Sequence, residues 1–199
     1  MARSLKSIEI ELQNRLPRIG LDVSLEQYIT DPGLVSRIVF LAYSNGHIEG
    51  KSVVDLGSGY GHFAYASRLM GSARTTAVEI DSRLIRATER TLREAGIEVL
   101  NMDVRDLQGH WDTAIMNPPF GSVNPGADRP FMQKAVEVAD YIYAVHNSKS
   151  AEFTDRFYSS HGTVISRHLL QITVPRMYRH HREEKAYVRS ILYCVRVSR

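Results

Sequence analysis

The sequence predicts an α/β protein: a doubly wound, mostly parallel sheet of seven strands with an antiparallel hairpin at one edge and extra helices at the amino end. Three observations carry this. Short apolar runs alternate with helical patterns from Val53 to Ser160, as they do in β–α–β units. The first run, Val53-Val54-Asp55-Leu56, passes into glycines at alternate positions, Gly57, Gly59 and Gly61, which reads as a tight strand-to-helix turn. The last two apolar runs, Val164–Val174 and Tyr187–Val197, flank a polar loop and read as long paired strands, with Tyr187, Arg189, Ile191, Tyr193, Val195 and Val197 on one face of the second.

The remaining elements follow in order. Leu5, Ile8, Leu12 and Leu16 recur at helical spacing over residues 3–16, and Pro17 and Gly20 end that helix. Thr30 or Asp31 caps a second helix, with Pro32 at its first position and its end near Ser44. The glycine turn feeds a helix from Phe63 to Leu69. Thr75–Val78 is the second strand, ending at Glu79, and Asp81 caps a helix from Arg83 to Ala95 that stops at Gly96. Glu98–Met102 is the third strand, ending in Asp103. Asp112–Met116 is the fourth; a loop over Gly121–Asp128 and a helix over Phe131–Val138 follow. Tyr141–Val145 is the fifth strand, ending at His146, and Ala151–Ser160 is a further helix. Right-handed crossovers then make the sheet parallel up to its closing hairpin.

The 199 residues are expected to form one domain, large enough to bury a real core. A net charge of +3 announces no global affinity for nucleic acid, but Arg167 to Arg199 holds eight Lys/Arg against Glu183 and Glu184, a locally basic stretch. The single cysteine, Cys194, excludes an internal disulfide and a cysteine zinc site within this chain. No apolar run approaches membrane-spanning length, and the first residues carry no signal-type apolar core, so a cytoplasmic protein is expected.

Asn117-Pro118-Pro119-Phe120-Gly121 is the most informative stretch. Neither proline can donate to a ladder, so the chain must leave the sheet here. That places an asparagine at a strand's carboxyl end, where open α/β sheets hold their ligands. Fixed φ at Pro118 and Pro119 aims the carbonyls beside Asn117, and Phe120 adds a flat apolar face; together they suit a planar amine. A plain Asn-Pro turn would use the same residues. Asp55, ahead of the glycines, suits a nucleoside or an ammonium better than a pyrophosphate, which it would repel. Glu79 falls about twenty residues beyond the glycine turn, where nucleotide-binding units place an acceptor for ribose hydroxyls. Asp103 could accept from an adenine amine or cap the turn that follows it. Gln27, Tyr28 and Thr30, taken alone, read as loop and cap. Arg179, His180, His181, Arg182 and Lys185 read as a basic loop, either a nucleic-acid contact or solvated surface. Adjacent histidines point to opposite sides of an extended segment and lack a third ligand, so no metal is expected there.

Asp55-Leu56-Gly57-Ser58-Gly59-Tyr60-Gly61, Glu79 and Asn117-Pro118-Pro119-Phe120 together resemble a class I S-adenosylmethionine-dependent methyltransferase of the amino-methylating kind. Leu25-Glu26-Gln27-Tyr28-Ile29-Thr30 and Tyr143-Ala144-Val145-His146 make the chain similar to the methyltransferase-like-five type of ribosomal-RNA adenine-N6 methyltransferases, archaeal relatives included. The resemblance runs over nearly the whole chain in the same order. It departs at Glu79, where the family often has Asp, and in the C-terminal loop, where it often has a lysine-rich run.

The resemblance implies a Rossmann-like core over residues 51–199, with residues 1–50 as helices and a lid over the cofactor. It implies that Gln27, Tyr28 and Thr30 lie over S-adenosylmethionine. Asp55, Gly57, Ser58, Gly59 and Gly61 would surround the methionine end, Glu79 would hold the ribose, and Asp103 with Val104 would meet the adenine ring. Asn117, Pro118, Pro119 and Phe120 would receive the target base beside the cofactor, and Arg179, His180, Arg182 and Lys185 would contact RNA. It also implies a small zinc-binding activator subunit pairing at a sheet edge; the third strand, with no Lys or Pro to guard it, is the expected place unless a loop or the preceding helix already covers that edge. Other acceptors compatible with Asn-Pro-Pro-aromatic are a protein glutamine and cytosine N4, and a non-catalytic RNA-binding subunit on the same fold is the reading from another class.

Overall fold

The computed structural model describes residues 4–16, 29–121, 124–175 and 185–199, the side chains of 173–175 and 185–186 excepted. Among these the chain forms α1 (Leu5–Arg15), α2 (Pro32–Ser44), β1 (Ser52–Leu56), α3 (His62–Leu69), β2 (Arg74–Glu79), α4 (Ser82–Glu94) and β3 (Glu98–Asn101). It continues with β4 (Trp111–Met116), α5 (Arg129–Val138), β5 (Ala139–Asn147), α6 (Ala151–His161), β6 (Gly162–Pro175) and β7 (Lys185–Val197).

The seven strands make one sheet in the order β3-β2-β1-β4-β5-β7-β6. The first five in that order are parallel; β7 runs antiparallel between β5 and β6. The chain winds outward from β1 to β3, returns to β4 beside β1, and winds the other way. Between β1 and β4 the two crossover layers part, which opens a crevice at the carboxyl ends of these strands.

Both faces of the parallel strands are buried, so successive residues feed opposite cores. Val53, Ala77 and Ile115 pack with Ile8, Ile38 and Phe63 of α1–α3. Their neighbours Val54, Val78 and Ala114 pack with Met132 and Ala135 of α5 and Tyr158 of α6. Two polar side chains of this interior find partners there: Trp111 Nε1 donates to Thr76 Oγ1 at 3.1 Å, and Thr113 Oγ1 donates to the His47 carbonyl at 2.7 Å.

Helix starts follow their side chains. Ser4 Oγ accepts from the Ser7 amide at 3.2 Å and begins α1. Asp31, rather than Thr30, caps α2, its Oδ1 accepting from the Leu34 amide at 3.0 Å, with Pro32 next. Asp81 caps α4 through the Arg83 amide at 2.9 Å. The fifth strand is longer than its apolar run. Ala139 pairs with Trp111 on one side and Asn147 pairs with Ser190 on the other, so ladder bonds to two neighbours carry the strand beyond Tyr141–Val145. Among the described residues no helix is long and apolar enough to cross a membrane.

Gly61 is required twice over. Its φ is +79°, and a Cβ there would sit 2.7 Å from one methyl of Leu92 and 2.8 Å from the other. Gly46 has a similar φ, +76°, and open space. Gly46→Ala should therefore cost only the left-handed backbone strain, about 1–2 kcal/mol, and Gly61→Ala about 1–3 kcal/mol more from overpacking. Urea melts of the two variants give that difference; equal costs would show that Leu92 yields without penalty.

Candidate functional site

The site is built on the turn after β1. The amides of Gly57 and Ser58 both donate to the Val78 carbonyl at 2.9 Å, which draws the turn against β2, and the Gly61 amide closes it on the Ser58 carbonyl at 2.7 Å. Gly57, Gly59 and Gly61 all have positive φ (71°, 55° and 79°), which side chains other than glycine tolerate poorly. Their surroundings differ. A Cβ on Gly57 would lie 2.7 Å from the ring of Phe131 and one on Gly61 would strike Leu92, whereas Gly59 has nothing within 4 Å. Two of the three glycines thus make room for neighbouring side chains, and Gly59 faces open space.

Glu79, at the end of β2, grips this turn. One carboxylate oxygen accepts from the Gly59 amide at 2.7 Å and the other from the Asp81 amide at 2.9 Å. Burial raises its pKa, and these backbone bonds oppose the rise. Asp55 is more deeply set, at 1% exposure. Its Oδ2 accepts from the Ala64 amide of α3 at 2.9 Å, while Oδ1 is buried with no hydrogen-bond partner. Burial pushes the Asp55 carboxyl from an ordinary 3.8 up to about 7; the Ala64 bond works against this and the nearby Glu79 adds to it. The Ser58 hydroxyl is likewise buried and unpartnered.

A cavity of about 400 Å³ opens over the turn at the carboxyl ends of β1, β2 and β4. Its lining brings together Thr30, Gly57, Ser58, Gly59, Glu79, Asp103 and Val104, and on the far side Asn117, Pro118 and Pro119. Asn117 donates its side-chain amide to the Thr30 hydroxyl at 2.9 Å, so the cap region of α2 is tied to the end of β4. Asp103 accepts from its own neighbour: the Arg105 amide at 2.9 Å and the Arg105 guanidinium at 2.6 Å, which holds its carboxyl below the usual range. Asp103 thus caps the turn of Val104–Asp106 while its residue borders the cavity.

Asp55 and Gly61 support the turn from beneath and are not among the lining residues. Phe120 is half-buried and packs on the core shared with α1–α3. Gln27, Tyr28, Arg179, His180 and Arg182 lie outside the described residues; Lys185 pairs with Pro175 at the start of β7, and its side chain lies outside them. Phe131 and Pro130 of α5, with Phe63 and Leu84, complete the walls. No spacing in the sequence pointed to these four; the positive φ of the glycine turn was legible, but not which ring would fill the space beside Gly57. Among the described residues no group of three or more His, Cys, Asp or Glu could hold a metal ion.

The model of the methyltransferase small domain family matches residues 36–142, more than half of the chain. The chain belongs to this family. Over its full length it is 33% identical to a Pyrococcus horikoshii protein described as a candidate RNA methyltransferase, which it also covers fully, with a TM-score of 0.91. An uncharacterised protein of Methanocaldococcus jannaschii is 28% identical over 94% of this chain and 92% of its own. The rRNA N(6)-adenosine-methyltransferase Mettl5 of Drosophila melanogaster is 28% identical over 81% of this chain and 82% of its own. The seven-stranded α/β sheet with its antiparallel edge is thus a Rossmann-like methyltransferase fold.

The raised pKa of Asp55 has a stability consequence with a definite sign. A carboxyl that titrates higher when folded binds its proton more tightly in the native state, so its contribution is fully present below about pH 4 and is lost as pH rises to about 7. Urea melts of the ligand-free protein at pH 5 and pH 8 should show a fall in stability that Asp55→Asn largely removes. An identical pH difference in wild type and Asp55→Asn would mean that the Asp55 carboxyl titrates normally.

Proposed function

We propose that this protein transfers a methyl group from S-adenosylmethionine to the exocyclic N6 amine of an adenine in RNA, ribosomal RNA being the substrate. The observation that carries this reading is Asn117: an amide at the carboxyl end of β4, followed by two prolines, opening into the same cavity as Gly59 and Glu79. The family and the name of the Drosophila relative support the reaction class and the substrate.

The residues present fit the cofactor. Gly59 leaves backbone open to the cavity, Asp55 Oδ1 and the Ser58 hydroxyl are buried and unpartnered, and Glu79 presents a carboxylate with lone pairs beyond its amide bonds to Gly59 and Asp81. Gly57, Ser58 and Gly59 would hold the methionine end, Glu79 the ribose hydroxyls, and Val104 with Asp103 the adenine, under Thr30 and the segment before it. When bound, S-adenosylmethionine supplies a methyl group on a sulfonium that needs no further activation.

The chain's part is to present the amine. An exocyclic adenine amine is a weak nucleophile because its lone pair is delocalised into the ring. The Thr30 hydroxyl accepts from the amide nitrogen of Asn117, and in this reading the side-chain carbonyl addresses the acceptor amine. Two acceptors, that carbonyl and the Pro118 carbonyl, draw the amine's two N–H bonds toward tetrahedral geometry and turn its lone pair outward. Phe120 and the prolines flank the base. Most of the rate then comes from positioning, and no general base is needed because the alkylated amine is acidic. The base must be single-stranded or flipped to enter.

Purified protein, labelled S-adenosylmethionine and ribosomal RNA, followed by nucleoside mass spectrometry, should yield N6-methyladenosine. Asn117→Ala should lower turnover about 100-fold and leave cofactor affinity nearly unchanged, because its bonds strengthen only as the amine pyramidalises. Label in N4-methylcytidine or in ribosomal protein instead of N6-methyladenosine would replace this reading.

The same reading includes an activator subunit seated on β3. Among the described residues this strand ends the sheet and pairs with β2 alone; the Arg93 guanidinium of α4 reaches the Val99 carbonyl at 3.3 Å, and an incoming strand would displace it to pair with the outer backbone groups. Val99→Pro, at a position whose backbone faces away from β2, should abolish co-elution with a small zinc-binding activator on size exclusion while the variant still melts cooperatively. Co-elution that survives the substitution would move the partner elsewhere.

A further inference from the structure

Where β5 runs out, a buried group stands that the mechanism above does not use. His146 is 1% exposed, on the face of the sheet toward α6. Its Nε2 lies 2.9 Å from the Tyr158 hydroxyl of α6, and Tyr158 is fully buried. Its Nδ1 has no hydrogen-bond partner, but stands 3.5 Å from Oδ2 of Asp128.

Asp128 occupies the cap position of α5, yet its carboxylate makes no capping bond to that helix. An aspartate there ordinarily accepts from the amides two or three residues on; this one is turned inward to the histidine, with 13% of its side chain exposed. The Tyr158 hydroxyl keeps its proton, since burial raises its pKa well above 10.0. Donation from Tyr158 to Nε2 puts the ring proton on Nδ1, facing Asp128, a tautomer assigned from the network. The pair is then an N–H aimed at a carboxylate, and a shift of about 0.5 Å would bring it to full hydrogen-bond length.

What Asp128 holds is the wall of the cavity. Ala127, Pro130 and Phe131 on either side of it line the cavity opposite Asn117. Phe131 fills the space that Gly57 leaves open. A second tie runs the same way, the Arg129 guanidinium lying 5.0 Å over the Phe153 ring of α6. The start of α5 is thus clamped between the glycine turn on one side and α6 on the other, and His146 links it to the end of β5.

We propose that His146 is a positioning residue: through Asp128 it fixes the start of α5, and with it Phe131 and Pro130, relative to Asn117. Its effect on turnover rests on the methyl-transfer reading; its effect on the start of α5 does not.

Two substitutions separate its ring nitrogens. Asn in place of His146 keeps an N–H near the Nδ1 position, toward Asp128; Gln keeps a polar group near the Nε2 position, toward Tyr158. Hydrogen exchange over residues 124–131 of the ligand-free protein should be about tenfold faster in His146→Gln, because the clamp opens locally, and close to wild type in His146→Asn. With ribosomal RNA as acceptor, kcat/KM should fall about tenfold in His146→Gln, an effect typical of a misplaced wall, and His146→Asn should recover most of it. Asp128→Ala should behave like His146→Gln, and the double variant no worse than either. Equal exchange in His146→Gln and His146→Asn, additive losses in the double variant, or losses that follow thermal stability alike in both would each reduce His146 to core packing and overturn the proposal. If wild-type protein leaves RNA unmethylated, the functional reading fails, and the exchange measurement alone decides the role of His146.

Discussion

The carboxylate of Glu79 holds two amides that belong to two different strand ends, and the site depends on that grip. One oxygen takes Gly59 from the turn after β1 and the other takes Asp81, the cap of α4. The amides of Gly57 and Ser58 on the Val78 carbonyl draw the turn to β2, and the Glu79 bond extends that hold to Gly59, at the cavity floor. The arrangement has a cost, because Asp55 is buried close by and each carboxylate disfavours the other's charge. Burying two acids close together is poor for stability and good for a cationic or hydroxyl-bearing ligand. Sites commonly keep such a conflict while the surrounding sheet carries the stability.

The walls above that floor come from elements far apart in sequence. Asn117 leaves β4 with its amide tied to Thr30, so the entry to α2 and the exit from β4 move as one. Phe131 reaches over from α5 into the gap beside Gly57. The glycine therefore does two jobs at one position: it permits a left-handed turn, and it leaves space for a ring that closes the cavity. A side chain at Gly57 would disturb both the floor and the wall.

The antiparallel end of the sheet has a different shape from the rest. Asn147, the last residue of β5, pairs with Ser190, so the part of β7 before Ser190 pairs with β6 alone and extends past the carboxyl edge of the parallel strands. Tyr187 on this extension is 65% exposed, and Leu169 on β6 is 85% exposed.

Much of this architecture was legible in the sequence because it follows from local periodicity. Seven apolar runs marked seven strands, and Asp81 and the Asp31-Pro32 pair marked helix starts, since a capping carboxylate acts within three residues. Asn117 before two prolines could only be a strand exit. The third strand ends at Asn101, one residue before the apolar run does, and the fifth outruns its own at both ends, because ladder pairing with neighbours decides where a strand stops. Sequence by itself determined the sheet, the turn and the asparagine at its carboxyl edge. Only the tertiary structure decided that Gly57 makes room for Phe131 and that Asp128 turns from its helix to His146. It also decided that Glu79 spends both oxygens on backbone amides. These are contacts between residues separated by up to 74 positions, as Gly57 and Phe131 are, and nothing in local spacing encodes them.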